Sequence, residues 1–431
     1  MRAKSMARIL HTAHEAMLNL SIWSVVVFWG ILAMDMHSRP LDGIKVVEFT
    51  HMVMGPAMGV ILADLGADII KVEPLKGDNT RRLSGAGAGY FPMYNRNKRS
   101  LCIDTASEAG KKVINGLLTR ADVFIENFRP GGMAESGWDY ATLSARHPRL
   151  ICCSAKGFLK GPYAQRTALD EVAQMMGGLA YMTGLPGKPM RAGASVIDVT
   201  GGMFGVIGIL AALEQRHRTG LGQEVKTSLF ETTAFLVGQH MAQYAVTGKP
   251  APPMSQRLSA WAVYDIFETA DSDQVFIGVV SDTQWRKFCE AFELQAFAQD
   301  RSLDQNGERV KQRERIMGVL RERFRQLTKA DLMAQLEAIG LPFAPVTKPE
   351  ELFDDKHLNA ADGLIEITLP DGRKTKLPSL PIEMQGQRLG VYRDLPRAGQ
   401  HTHEVLQDAG FSLAEIADLV QSGVIAKQNE T

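Results

Sequence analysis

A strand, helix, strand succession beginning near residue 44 limits this chain to few folds. Residues 44–49 are an apolar run with strand character, residues 55–65 are rich in the small and apolar residues of a packed helix, and residues 69–73 return to strand. Such a unit pairs its two strands in parallel, with the helix across one face of the sheet. The alternation continues through a helix at 108–120 and a strand at 123–126, so an α/β fold with a large Rossmann-like lobe on a parallel sheet is expected. At 431 residues and 45% hydrophobic content the chain is long enough for a second lobe, expected to be smaller and α+β.

The large lobe is assigned to residues 39–245 and the smaller one to 255–345, after a proline-rich boundary at 249–253. The smaller lobe is expected to hold a strand at 275–280 and amphipathic helices at 309–326 and 330–339. Residues 346–431 then return to complete the large lobe, with a hairpin at 364–373 and closing helices at 404–409 and 413–422. Lys plus Arg and Asp plus Glu are equal at 48 each, so no global field favours nucleic acid or an acidic membrane. Cys102, Cys152, Cys153 and Cys289 show no metal-ligand spacing, which predicts a reducing, cytoplasmic setting and no metal. Residues 1–38 form an N-terminal extension in which 16–34 is nearly uncharged and long enough to span a bilayer. A signal anchor explains it, and so does a start placed upstream of Met34 or Met36; a membrane-inserted chain is the less expected of the two.

Chemistry is expected at Asp198. In Ser195-Val196-Ile197-Asp198-Val199-Thr200-Gly201-Gly202 a carboxylate ends an apolar, strand-like run, ahead of a helix at 203–213 that is apolar all round. A carboxylate so placed loses water, which raises its pKa or demands a partner; capping of the helix is the structural alternative. Further polar turns follow other strands. Small residues in Gly55-Pro56-Ala57-Met58-Gly59 let a ligand approach a helix start, although GxGxxG is absent and a dinucleotide site is not supported. Asn95-Arg96-Asn97-Lys98-Arg99-Ser100 is expected as a basic turn before a strand at 101–104, and Asn127-Phe128-Arg129 opens the turn after strand 123–126. In open α/β sheets ligands bind where strands end, so these turns are expected to converge.

Several spaced motifs carry a resemblance. Leu41-Asp42-Gly43, Gly55-Pro56, Leu65-Gly66-Ala67-Asp68, Ile70-Lys71-Val72-Glu73, Gly77-Asp78-Asn79-Thr80-Arg81, Asn97-Lys98-Arg99-Ser100, Glu126-Asn127-Phe128, Val172-Ala173-Gln174 and Thr219-Gly220-Leu221-Gly222-Gln223, in that order, resemble the family III CoA-transferases. That family includes formyl-CoA and carnitine CoA-transferases and, on the same fold, 2-methylacyl-CoA racemases. The resemblance implies transfer of CoA from an acyl-CoA donor to a small carboxylic acid, with no tightly bound cofactor. It implies that Asp198 is the nucleophile, forming an aspartyl anhydride and then an aspartyl-CoA thioester. Backbone N–H groups at residues 52–55, or at Gly201 and Gly202, are candidates to stabilise the oxyanions. It places CoA against His51, Val53, Met54, Asn97, Lys98, Arg99, Ile103, Asn127 and Arg129, with Asp170 as a second carboxylate or a cap for the helix after it. It also implies an interlocked homodimer.

Departures narrow the substrate. The formyl-CoA branch has arginines where this chain has Pro74 and Glu135, and a glutamine where it has Val53. Arg81, Arg96 or Arg129 are therefore expected to hold the CoA phosphates, and an acid less polar than oxalate is expected as acceptor. The racemase histidine corresponds to Leu169, which removes the imidazole that α-proton exchange needs. His51 is expected to lie near CoA without acting as a catalyst, while Met175, Met176 and Met182 either line an acyl pocket or, as the default, fill the core.

Overall fold

In a computed structural model, residues 39–256 and 260–426 are described. The extension discussed for residues 1–38 lies outside them. Six strands, β1 (Lys45–Phe49), β2 (Asp68–Glu73), β3 (Lys98–Cys102), β4 (Val123–Glu126), β5 (Ile151–Lys156) and β6 (Glu224–Ser228), form one sheet. Their order is β3-β2-β1-β4-β5-β6, and every neighbouring pair is parallel. The order reverses direction between β1 and β4, so the turns leaving these two strands flank a crevice.

Alternate residues of the strands serve opposite faces. On one face Val47, Phe49, Ile70, Val72, Leu101, Phe124 and Cys152 pack against the amphipathic helix α2 (Glu108–Leu118). That helix starts cleanly because Ser107 Oγ accepts the Gly110 N–H at 3.0 Å. The same core takes Val405 and Leu406 from the helix Thr402–Asp408, and Ile416 and Leu419 from Leu413–Gln421. On the other face lies the helix α1 (Met54–Asp64), which has ten buried residues and no charged residue before Asp64. The long helix α3 (Val196–Thr219) packs along α1 and also meets β5 and β6.

The contacts divide the chain differently from the sequence expectation. One unit comprises residues 39–170, 195–232 and 366–426 of the described chain, the other 171–194 and 233–365. Residues 171–194 thus leave the large unit, and the return begins at 366 rather than 346. The second unit is built on an antiparallel sheet of β7 (Val263–Glu268), β8 (Gln274–Val279) and β9 (Phe343–Pro345). Its core is aromatic, with Phe267, Trp285, Phe288, Phe292 and Phe324 buried together.

Three local expectations are corrected. Residues 195–199 are not strand: α3 starts at Val196, because a carboxylate from elsewhere in the unit supplies the cap its own Ser195 does not. Lys98, Arg99 and Ser100 do not form a solvated turn; β3 starts at Lys98, and internal ion pairs make their burial tolerable. The apolar segment 203–213 is buried on one side only, with Met203 at 48% and Ile207 at 58% exposure.

Candidate active site

Asp198 occupies the first turn of α3 and is half-buried. Asp170, 5% exposed, aims its carboxylate at that helix start: Oδ2 accepts the N–H of Ile197 at 3.0 Å and that of Asp198 at 3.2 Å. Asp170 was expected to cap the helix that follows it or to act as a second site carboxylate; these two bonds cap the helix that carries Asp198. An acceptor here also complements the positive end of the helix dipole.

Small residues lay α3 on α1. A Cβ on Gly201 would stand 2.6 Å from Met54 Cε, one on Gly202 2.9 Å from the Met54 carbonyl oxygen, and one on Gly205 2.2 Å from Met58 Sδ. Gly201 and Gly205 thus follow Met54 and Met58 in the same direction, so the two helices run the same way. Asp198 lies one turn before Gly201 and Gly202 in α3, so its turn of helix stands beside the start of α1. Gly201 and Gly202 themselves sit inside α3, where their N–H groups serve the helix ladder. They are thereby removed as oxyanion donors.

The turn itself is tightly held. Asn127 clamps His51, accepting its N–H at 3.1 Å through Oδ1 and donating from Nδ2 to its carbonyl at 2.8 Å. Met52 has φ +63°, a left-handed conformation that costs a residue with a side chain about 1–2 kcal/mol. Its N–H donates to Thr80 Oγ1 at 3.0 Å. Val53 then caps α1 with no side-chain hydrogen bond, and Pro56 has no N–H, which leaves the first-turn amides of α1 without a capping side chain. Val53 and Met54 are buried, His51 and Met52 exposed.

Tyr94, which the sequence reasoning missed, stands in the field of Asp198. Burial and then the Asp198 charge push its phenol above the usual value, so it stays protonated. No motif marks it; only its place in the helix Tyr90–Tyr94 beside α1 brings it here.

The basic segment is engaged internally. Lys98 Nζ lies 2.9 Å from Glu48 Oε2 and donates to the Pro56 carbonyl at 3.0 Å, and desolvation lowers its pKa to about 8. Arg99 pairs with Asp68, Glu404 and Asp408. Asn97 is buried, donates to Asp64 and accepts the N–H groups of Tyr392 and Arg393. Ile103 is 1% exposed. Two of the arginines expected to hold phosphates are also spoken for: Arg81 is bidentate to Glu73 at 2.7 Å, and Arg96 pairs with Asp64 at 2.6 Å. Arg129 is the exception of the three, with its side chain 80% exposed and 3.8 Å from Glu135.

Arg129 lines a cavity of about 440 Å³ on the unit's sheet, together with Glu126, Ser154, Lys156, Phe158, Lys160 and Lys226. Lys156 Nζ is 2.6 Å from Glu126 Oε1. Lys156 and Lys160 were not singled out from sequence, although Lys156 at the end of a strand and followed by glycine was a usable signal.

The profile of CoA-transferase family III matches residues 41–402. A succinate–glutarate CoA-transferase of Agrobacterium fabrum is 33% identical over 391 residues, covering 87% of this chain and 97% of that protein. A formyl-CoA:oxalate CoA-transferase of Rhodopseudomonas palustris is 31% identical over 417 residues, covering 90% and 98%. Among solved structures, a CAIB/BAIF family protein from Brucella suis matches with a TM-score of 0.78 and 34% identity, over 86% of this chain and all of that one. The chain belongs to family III of the CoA-transferases, and is a CoA-transferase acting on acyl-CoA and carboxylic acid substrates.

Proposed function

We propose that Asp198 is the nucleophile that carries CoA from donor to acceptor. Its carboxylate attacks the donor thioester carbonyl, expelling CoA thiolate and leaving a mixed anhydride. The thiolate returns to the aspartyl carbonyl, giving an aspartyl-CoA thioester and releasing the donor acid as carboxylate. The acceptor carboxylate attacks this thioester and forms a second anhydride, from which the thiolate takes the acyl group and frees Asp198. Each attack places negative charge on a carbonyl oxygen, and the uncapped N–H groups at the start of α1 are positioned to receive it. The observation that supports the reading is the glycine-mediated seating of α3 on α1, which brings the helix turn carrying Asp198 beside the start of α1.

Arg129, exposed in the turn that Asn127 opens, is the proposed contact for the CoA phosphates, with Asn127, His51 and Met52 proposed along the path to Asp198. Met52, exposed beside the buried Val53, supplies apolar surface where the resemblance to the formyl-CoA branch calls for glutamine nearby. This favours an acceptor less polar than oxalate, and a glutarate-like dicarboxylate fits the names of the relatives. The proposed assembly is a homodimer in the cytoplasm, supported by the exposed Met203 and Ile207 on α3 and, in the second unit, by Phe235 at 71% and Val246 at 86% exposure. Sedimentation as a monomer at micromolar concentration would remove the dimer. Incubation of acyl-CoA with hydroxylamine tests the nucleophile: an adduct is expected on Asp198, and Asp198→Ala should fold yet exchange no CoA. Full exchange by that variant sinks the assignment.

A further inference from the structure

A buried ionic network ends on the turn that faces Asp198. Thr80 Oγ1, which accepts the Met52 N–H, donates in turn to Asp78 Oδ1 at 2.8 Å, and the Thr80 N–H donates to the same oxygen at 2.9 Å. Asp78 Oδ2 lies 3.1 Å from Lys71 Nζ, which donates to the Thr50 carbonyl at 2.7 Å. The chain of contacts therefore leaves the turn at Met52 and re-enters it at Thr50. Below it, Glu48 accepts the Thr50 hydroxyl at 2.7 Å and pairs with Lys98. Thr80 is 3% exposed, Asp78 5%, and Lys71, Glu48 and Lys98 are fully buried.

Ending a strand does not require this. A turn that needs one left-handed residue is ordinarily made with glycine or asparagine, whereas here methionine is held in that conformation from outside. The consequence is local: with Met52 fixed, the following residues enter α1 with their amides directed along its axis, toward the start of α3.

We propose that Thr80, locked by Asp78 and Lys71, is a positioning residue for acyl transfer, holding Met52 left-handed so that the first amides of α1 meet the acyl oxygen carried on Asp198. This rests on Asp198 being the nucleophile. The side chain of Thr80 itself touches neither substrate nor the reacting carboxylate; it acts through the Met52 backbone.

Coupling between the two positions tests it. Thr80→Val keeps shape and removes the hydrogen bond, and is expected to lower the kcat of exchange on the order of tenfold, the worth of one such bond, with KM for acyl-CoA within about twofold. Thr80→Ser restores the rate. In a Met52→Gly background the loss caused by Thr80→Val should shrink to less than about threefold, since glycine adopts the left-handed region unaided. A purely structural threonine gives the same loss in both backgrounds, and that outcome, or no loss in either, overturns the proposal. If Thr80→Val does not accumulate as folded protein, Asp78→Asn is measured in the same two backgrounds with the same expectation. Exchange by Asp198→Ala, assayed alongside, would instead remove the nucleophile reading; an inactive Asp198→Ala with a fully active Thr80→Val removes this inference alone.

Discussion

Asp170 accepts the backbone N–H of Asp198 at 3.2 Å, so one carboxylate sets the helix turn that carries the other. Asp170→Ala removes the cap and is expected to cost about 1–2 kcal/mol of stability, with a larger fractional loss in exchange rate than any surface substitution gives. Asp170→Asn, still an acceptor, should keep most of both. Thermal unfolding and steady-state kinetics on the two variants decide it; equal damage by both would show that charge, and not capping, is what Asp170 supplies.

The glycines of α3 make a graded prediction. An added Cβ at position 202 meets backbone, the Met54 carbonyl at 2.9 Å, whereas at position 205 it meets the flexible Met58 side chain. Gly202→Ala is expected to destabilise by about 1–3 kcal/mol and to impair exchange strongly by pushing the start of α1 away. Gly205→Ala should be milder in both measures, and a reversal of that order in urea titrations and kinetics would contradict the seating described.

Lys98 and Glu48 are both fully buried, 2.9 Å apart. Lys98→Met strands a carboxylate whose remaining cation, Lys71, lies at 3.6 Å, and should cost about 3–5 kcal/mol. Adding Glu48→Leu should recover part of that loss, because an apolar pair has no charge left to desolvate. Additive losses in a urea-unfolding cycle would refute the coupling.

Acid should weaken this unit through Glu73 and Asp78. Burial alone raises both carboxyls, but Arg81 for Glu73 and Lys71 for Asp78 outweigh it and hold them below their usual values. A folded pKa below the unfolded one gives stability that is complete above the unfolded value and lost as pH falls through the folded one. Asp64 runs the other way, since burial outweighs Arg96 and raises it, and offsets part of the loss. The melting temperature is thus expected to fall as pH drops below about 4.5, and Asp78→Asn, less stable at pH 7, should show a smaller fall. An unchanged acid slope in that variant would exclude Asp78 as a source.

Arg129 is the surface cation proposed for the phosphates. Arg129→Ala should raise KM for acyl-CoA several-fold, on the order of 1 kcal/mol for a partly exposed charge pair, with little change in kcat and a difference that shrinks at high salt. Kinetics at two ionic strengths measure this. A loss confined to kcat would place Arg129 at the chemistry instead.

The parallel sheet, the succession of β1, α1 and β2, the closing helices and the family were legible in local pattern and ordered motifs, because strand and helix periodicities are properties of contiguous residues. The motifs also drew attention to Asp198, Asp170, His51 and Asn127, which the large unit gathers around two adjacent turns. What they did not reveal is partnership. Lys98 and Arg99 form a basic surface patch when only neighbours in sequence are considered, and they are buried ion-paired residues once Glu48, Asp68, Glu404 and Asp408 are brought beside them. Tyr94 carries no signal at all until folding places it in the field of Asp198.

Sequence alone determined that this chain is an α/β CoA-transferase with a carboxylate before a glycine pair, since composition, periodicity and ordered motifs are local quantities. Only the tertiary structure decided which charges are spent on one another and which face a ligand. A charge's availability depends on burial and on the partner within about 4 Å, and residues separated by tens or hundreds of positions, such as Arg99 and Asp408, Asp170 and Asp198, or Met52 and Thr80, meet only in the folded chain.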